Sequence, residues 1–169
     1  MNRATLALAA IVAISAGAVP RAQAVDALRD YYSHGVANCQ AALPIFDGNI
    51  RKRPLGLSNE STANAFVTCD NDVLKVAPSI SLVEIQFTNR DTVAHQVTCT
   101  LVTGFSPTIP SEFFVKSTQT LSPNGVGSIS WTPLDNEGDG YRGPAASCNL
   151  PPGVEINTHH ITYTENVGN

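Results

Sequence analysis

The segment Ser81–Asn89 alternates without a break: Val83, Ile85 and Phe87 are apolar, and Glu84, Gln86 and Thr88 between them are polar. Successive side chains of a strand point to opposite faces, so this segment has one dry face and one wet face. The period recurs. In Val93–Thr103 the inward set is Val97, Cys99 and Leu101, with Gln96, Thr98 and Thr100 toward water, and the turn Asn89-Arg90-Asp91 joins the two segments as a predicted hairpin. Phe113–Leu121 and Val126–Thr132 flank Ser122-Pro123-Asn124-Gly125, in which Pro fixes φ and Asn-Gly tolerates positive φ. Ala145–Leu150 and Ile156–Glu165 flank Pro151-Pro152-Gly153, while Val36–Leu43, Ile50–Ser58 and Ala65–Cys69 are shorter candidates. No stretch after residue 24 has a convincing 3.6-residue period, and Val25–Tyr32 reads as one helical turn or a loose N-terminal arm. Eight or nine short strands with turns about every ten residues define an all-β chain. The expected fold is a single antiparallel β-sandwich, Ig-like or jelly-roll-like.

Residues 1–24 have the form of a cleaved secretory signal peptide. Arg3 supplies the positive start, Leu6–Val19 is an uncharged and mainly apolar run, and Ala22-Gln23-Ala24 is a small-x-small cleavage site. That run would extend only about 21 Å as a helix, short of the roughly 30 Å hydrocarbon core. No later stretch is long and apolar enough for a membrane span, and no cysteine follows the run to take a lipid. The expected organisation is a signal peptide over 1–24, an N-terminal arm over 25–35 and a sandwich over 36–169, in a protein that is secreted or periplasmic.

Removing residues 1–24 takes away Arg3 and Arg21 and leaves 145 residues with 8 basic and 14 acidic side chains, a net charge of −6. Only 14% of the whole chain is charged, against roughly 25% in a typical globular protein. Its 15 Thr and 13 Ser must therefore cover much of the surface. An acidic chain with three lysines argues against nucleic-acid binding, which needs clustered positive charge to displace counterions.

Cys39, Cys69, Cys99 and Cys148 all follow the signal segment. An even count in an exported chain implies two disulfides with three formal pairings, and no pair has the C-x-x-C spacing of a redox or zinc motif. An internal echo favours one pairing. Residues Asn59–Cys69 and Asn89–Cys99 match at five of eleven positions (Asn, Thr, Val, Thr and Cys), each running from a polar turn into a β-rich strand. If each copy is a hairpin that brings its cysteine to a similar place, Cys39–Cys69 and Cys99–Cys148 are the favoured bridges.

Ala65-Phe66-Val67-Thr68-Cys69, Ser128-Ile129-Ser130-Trp131-Thr132 and Cys148-Asn149-Leu150-Pro151-Pro152-Gly153-Val154-Glu155-Ile156 together resemble a group of short exported bacterial proteins. That resemblance covers most of residues 36–169 and implies a disulfide-linked β-sandwich. It implies no activity, and no catalytic residue can be carried over from it.

Asp135-Asn136-Glu137-Gly138-Asp139-Gly140 resembles the opening of a calcium loop, making Asp135, Glu137 and Asp139 calcium candidates. Position twelve of such a loop would be Ala146, where a bidentate Glu is expected, and a solvated acidic turn explains the run as well. Asp70-Asn71-Asp72 invites the same two readings. His159 and His160 are adjacent, so as strand residues they point to opposite faces and read as surface or edge histidines, with His34 and His95 elsewhere. Gly104-Phe105-Ser106-Pro107-Thr108 lacks the second Gly of a nucleophile elbow. Gly125-Val126-Gly127 lacks the following helix of a phosphate loop. Arg51-Lys52-Arg53 would either contact an anionic cell-surface polymer or protect an edge strand from aggregation. Asn59-Glu60-Ser61 matches the N-glycosylation sequon. Trp131, Tyr141 and Tyr163 are either core or an aromatic platform for sugars.

The expectation is an exported, non-enzymatic β-sandwich with a structural or binding role outside the cytoplasm, needing no cofactor and open to cell-surface or carbohydrate contact. The competing readings are a small secreted hydrolase with converging carboxylates and a calcium-dependent adhesion or carbohydrate-binding module.

Overall fold

A computed structural model describes residues 24–70, 79–103, 113–138, 141 and 143–167. The signal segment before residue 24, Asn71, Asp72, Gly104–Thr108, Asp139 and Gly140 lie outside the described residues. The described elements are β1 (Val25–His34), α1 (Gly35–Asn38), β2 (Cys39–Ala41), β3 (Ile50–Arg53), β4 (Gly56–Asn59), β5 (Ala65–Cys69), β6 (Ser79–Asn89), β7 (His95–Thr103), β8 (Phe113–Leu121), β9 (Val126–Trp131), β10 (Ala145–Leu150) and β11 (Val154–Val167). The protein is an all-β, two-sheet antiparallel sandwich. One sheet runs β3-β4-β11-β6-β9, with β1 also paired to β11, and the other runs β2-β5-β10-β7-β8.

Within this order, β4-β11-β6-β9 faces β5-β10-β7-β8, and the links β4–β5, β6–β7, β8–β9 and β10–β11 all cross from one sheet to the other. That is the double Greek key of a jelly roll, which selects between the two expected sandwich types. The registers put all four crossings at one end, because Glu155 pairs with Ser58, Val154 with Asn89, and Thr88 with Val126.

Four local expectations are corrected. The segments around Asn89-Arg90-Asp91 are not a hairpin, since β6 and β7 belong to different sheets. Alternation marks which residues face the core, and that phase is the same for a neighbouring strand and for one across the sandwich. The predicted strand Ile50–Ser58 is a hairpin, because Pro54 interrupts it and β3 folds back on β4. Val36–Leu43 is the short helix α1 followed by β2. Val25–Tyr32 belongs neither to a helical turn nor to a loose arm: β1 pairs with β11 over ten residues, from Val25 opposite Val167 to His34 opposite Thr158. The described strands therefore number eleven rather than eight or nine.

The inward faces meet in one core containing Leu57, Val67, Ile85, Phe87, Leu101, Trp131, Leu150 and Ile156. Cys39–Cys69 links β2 to β5 and Cys99–Cys148 links β7 to β10, each between residues directly opposite in register. Both bridges thus staple neighbouring strands of the same sheet, and direct cross-strand adjacency rather than a pair of hairpins brings each pair of cysteines together. A bulge at Asn157 shifts the β11 register between Ile156 and Thr158, which lets Ile156, His159 and Ile161 all be buried.

Candidate functional site: the cleft at the crossing end

Two corners use the same device. Asn59, fully buried at the end of β4, donates from Nδ2 to the carbonyls of Ala63 and Leu150, both at 2.8 Å, and accepts the Ser61 N–H at 3.1 Å. Asn89, fully buried at the end of β6, donates to the carbonyls of Val93 at 2.7 Å and Ser122 at 3.0 Å and accepts the Asp91 N–H at 3.0 Å. Each side chain closes its own turn and reaches a neighbouring one, so backbone groups that leave a sheet at a corner keep their partners. Main-chain bonds complete the seam: Gly153 N–H donates to Asn59, Arg90 N–H to Gly153, and Asn124 N–H to Asp91. The sequon asparagine has its amide committed to this seam, so in the folded protein it is closed to glycosylation.

A cleft of about 750 Å³ opens beside the seam, between the Pro54-Leu55 turn and the corners at Glu60, Arg90 and Pro152. Its charged walls are paired with one another. Arg90 donates from Nε to Glu155 Oε2 at 3.0 Å, and Asn157 donates to Glu155 Oε1 at 3.1 Å. Glu155 is only 4% exposed, so these donors offset the cost of burying its carboxylate. Arg53 pairs with Glu60, and Arg51 approaches the same carboxylate at 3.8 Å. Asp91 accepts from the Thr92 N–H and lies 2.9 Å from the His95 ring. The His95 contact, with the Thr92 N–H, holds the Asp91 carboxyl below its ordinary range.

A second polar group lies on the outer face of the same sheet. His160 stands between Asp30 at 3.0 Å and Glu84 at 3.3 Å, with the Tyr32 ring stacked on it at 4.1 Å. The Thr162 hydroxyl and His160 together hold the Asp30 carboxyl below its ordinary range. This cluster fastens β1 to β11 and β6.

The other candidates are placed as follows. Asp135 caps a 3₁₀ turn at Pro133–Asn136, accepting from the Thr132 N–H at 2.7 Å and hydroxyl at 3.1 Å, and Glu137 follows in a left-handed conformation. Among the described residues no group of three or more His, Cys, Asp or Glu is placed to hold a metal ion. Trp131 and Tyr141 are core residues: Trp131 donates to the Val115 carbonyl at 3.1 Å and Tyr141 to the Thr132 carbonyl at 2.6 Å. Burial, with Asp135 nearby, pushes the Tyr141 phenol up to about 12. Tyr163 packs against the core, so these three form no platform. Arg51 and Arg53 share the outer face of edge strand β3, where Glu60 balances them. His159 and His160 do point to opposite faces, but His159 is fully buried rather than a surface residue.

Arg90, Asp91 and Glu155 escaped the sequence reading. Glu155 lies between Val154 and Ile156 and looks like any wet-face strand residue. The available signal was the Asn59 and Asn89 echo, which marks the two corners bordering the cleft.

No protein-family model and no curated protein sequence matches the chain. Solved structures do match. An exo-β-1,3-galactanase from Phanerochaete chrysosporium, with galactose, is 12% identical over 79% of this chain, with a TM-score of 0.42. This chain spans 29% of that enzyme's length. The tobacco streak virus coat protein is 12% identical over 82% of this chain and 87% of its own, with a TM-score of 0.36. TmCBM61 in complex with β-1,4-galactotriose is 7% identical over 82% and 88%, with a TM-score of 0.33. Likeness at this level assigns neither family nor activity. The chain stands as a disulfide-bonded two-sheet antiparallel sandwich, defined by its own topology.

Proposed function

We propose that the protein is an exported, non-enzymatic binding domain that holds a neutral, hydroxyl-rich ligand of the carbohydrate class in the cleft. The observation that carries this reading is the Arg90–Glu155 pair, with Glu155 buried and fixed from both sides. Internally paired ions offer donors and acceptors in set positions without a strong net field, which suits hydroxyls better than an ion. Leu55, Pro54 and Pro152 supply apolar wall beside them. A hydrolase would need a carboxyl held protonated as general acid. In this cleft Asp91 is shifted the opposite way, and Glu60 and Glu155 are committed to arginines. Two disulfides suit an oxidising extracytoplasmic compartment, in keeping with the signal peptide read over residues 1–24. Among the described residues no helix is long and apolar enough to cross a membrane.

The test is a glycan array of neutral and acidic oligosaccharides, followed by calorimetry of hits against the wild type and Arg90→Ala. The expected result is a neutral hit whose affinity falls at least tenfold in the variant. An array without hits, binding unchanged in the variant, or release of hydrolysis products would overturn the reading.

A further inference from the structure

The two outer faces of the sandwich differ in charge. The outer face of the β1-bearing sheet carries Asp30, Glu84, Arg51, Arg53 and Glu155. Among the described residues, the outward positions within the strands of the β2-β5-β10-β7-β8 sheet carry one charge, Lys116 on edge strand β8, while Asp70 and Lys52 lie beside Gln40 and Thr68 at the β2 end.

The register spells out what replaces charge there. One cross-strand row reads Gln40, Thr68, Ser147, Thr100 and Lys116. The next reads Phe66, Asn149, Thr98 and Thr118, with the Thr98 and Thr118 hydroxyls 3.1 Å apart. Five strands at about 4.8 Å spacing make a face roughly 19 Å wide between outer backbones, with alternate residues along each strand about 7 Å apart. Phe66, at the β5 end of the second row and packed against Phe46, and Phe114, one row beyond Lys116 on β8, stand on this face at 46% and 64% exposure.

Keeping a wet face soluble does not call for this pattern. Solubility favours charge and few exposed aromatics, and this acidic chain has the carboxylates to supply it. A rigid, uncharged array of hydroxyls and amides bordered by aromatic rings instead matches a partner that is itself uncharged and rich in hydroxyl groups. Little conformational entropy is lost on contact, since short Thr and Ser side chains on a stapled sheet are already ordered. We infer that this face adsorbs the protein to the surface of a solid, neutral polysaccharide, independently of the cleft.

The inference is tested by pull-down of the full chain, purified with its disulfides intact, on microcrystalline cellulose, chitin and insoluble mannan. Polygalacturonate gel serves as the charged comparison. Retention is expected on at least one neutral solid and not through the acidic gel alone. Thr98→Glu/Thr118→Glu and, separately, Phe66→Ala/Phe114→Ala are expected to lower the partition coefficient at least tenfold. Ser130→Lys, on the outer face of the opposite sheet, is expected to leave it unchanged. Circular dichroism and thermal unfolding check that each variant is folded, and Thr118→Lys alone is the milder substitute if the double variant is not. Absence of retention on all three neutral solids would overturn the inference. So would retention unchanged in the folded variants, or sedimentation showing a dimer that the same variants split. Because the cleft is tested with soluble oligosaccharides and Arg90→Ala, either proposal can fail alone.

Discussion

Asn59 and Asn89 are the same structural part used twice: each ends a strand of one sheet, is fully buried, and bonds its own turn as well as a neighbouring corner. The two corners are joined through Gly153, which donates to the Asn59 carbonyl and accepts from the Arg90 N–H. The crossing end is therefore a continuous hydrogen-bonded seam, and the cleft inherits its geometry from that seam.

Replacing either asparagine with alanine takes an amide donor away from two carbonyls, of which Ala63 alone keeps a second side-chain donor in the Ser61 hydroxyl, and removes an acceptor from the turn. Each Asn→Ala variant is expected to lose about 2–3 kcal/mol in urea unfolding, with Asn59→Ser and Asn89→Ser in between. A loss below about 0.5 kcal/mol in both would show that the seam does not hold the corners together.

His159 makes stability depend on pH. Burial, aided by the neighbouring charge of His160 and opposed by Asp70, lowers its ring from an ordinary 6.5 to about 4. Between those values the unfolded chain binds a proton that the folded chain does not, so stability rises with pH across the window. Going down from pH 6.5 to 4 is expected to cost about 3 kcal/mol, read as a falling unfolding midpoint. Asp30 and Asp91, whose folded carboxyls are lowered, lose their contributions only as pH falls further, below about 4. His159→Leu should flatten the slope above pH 4 while leaving the acid limb, and an unchanged slope would remove His159 as its source.

Gly56 lies under the buried Glu155. A Cβ there would stand 2.5 Å from both Glu155 Oε1 and the Ile156 carbonyl oxygen. Gly56→Ala is expected to destabilise by about 1–3 kcal/mol, whereas Gly48→Ala, with open space around it, should stay within about 0.5 kcal/mol. Equal effects at the two positions would contradict the close approach of β4 to β11.

The bridges close loops of 30 and 49 residues. Removing either pair by Cys→Ser is expected to cost roughly 3.5–4 kcal/mol in the chain-entropy picture, measured by urea unfolding. A non-reducing peptide map should return Cys39–Cys69 and Cys99–Cys148, and a Cys69–Cys99 peptide would refute that pairing.

Much of the strand pattern was legible because burial writes itself into alternation. Val83, Ile85 and Phe87 face the core as their spacing demanded. What alternation omits is the partner. Val97, Cys99 and Leu101 have the same phase whether β7 lies beside β6 or across from it, so the crossing at Asn89 read as a hairpin. The Asn-to-Cys echo did mark a shared structure, but one made by buried side-chain amides at two corners rather than by two hairpins. His159 was misread because the bulge at Asn157 resets the phase of β11. β1 was illegible for a different reason: its residues are mostly exposed, and its pairing is with a strand more than a hundred residues away.

That long-range pairing orders events in time. Asp30 meets His160 across a separation of 130 residues, so among the described strands β1 has its pairing partner only once β11 is available. Such non-local closure is slow compared with local hairpin formation. A chain delivered gradually would hold β1 in waiting, and this sheet would be completed only after β11 had arrived.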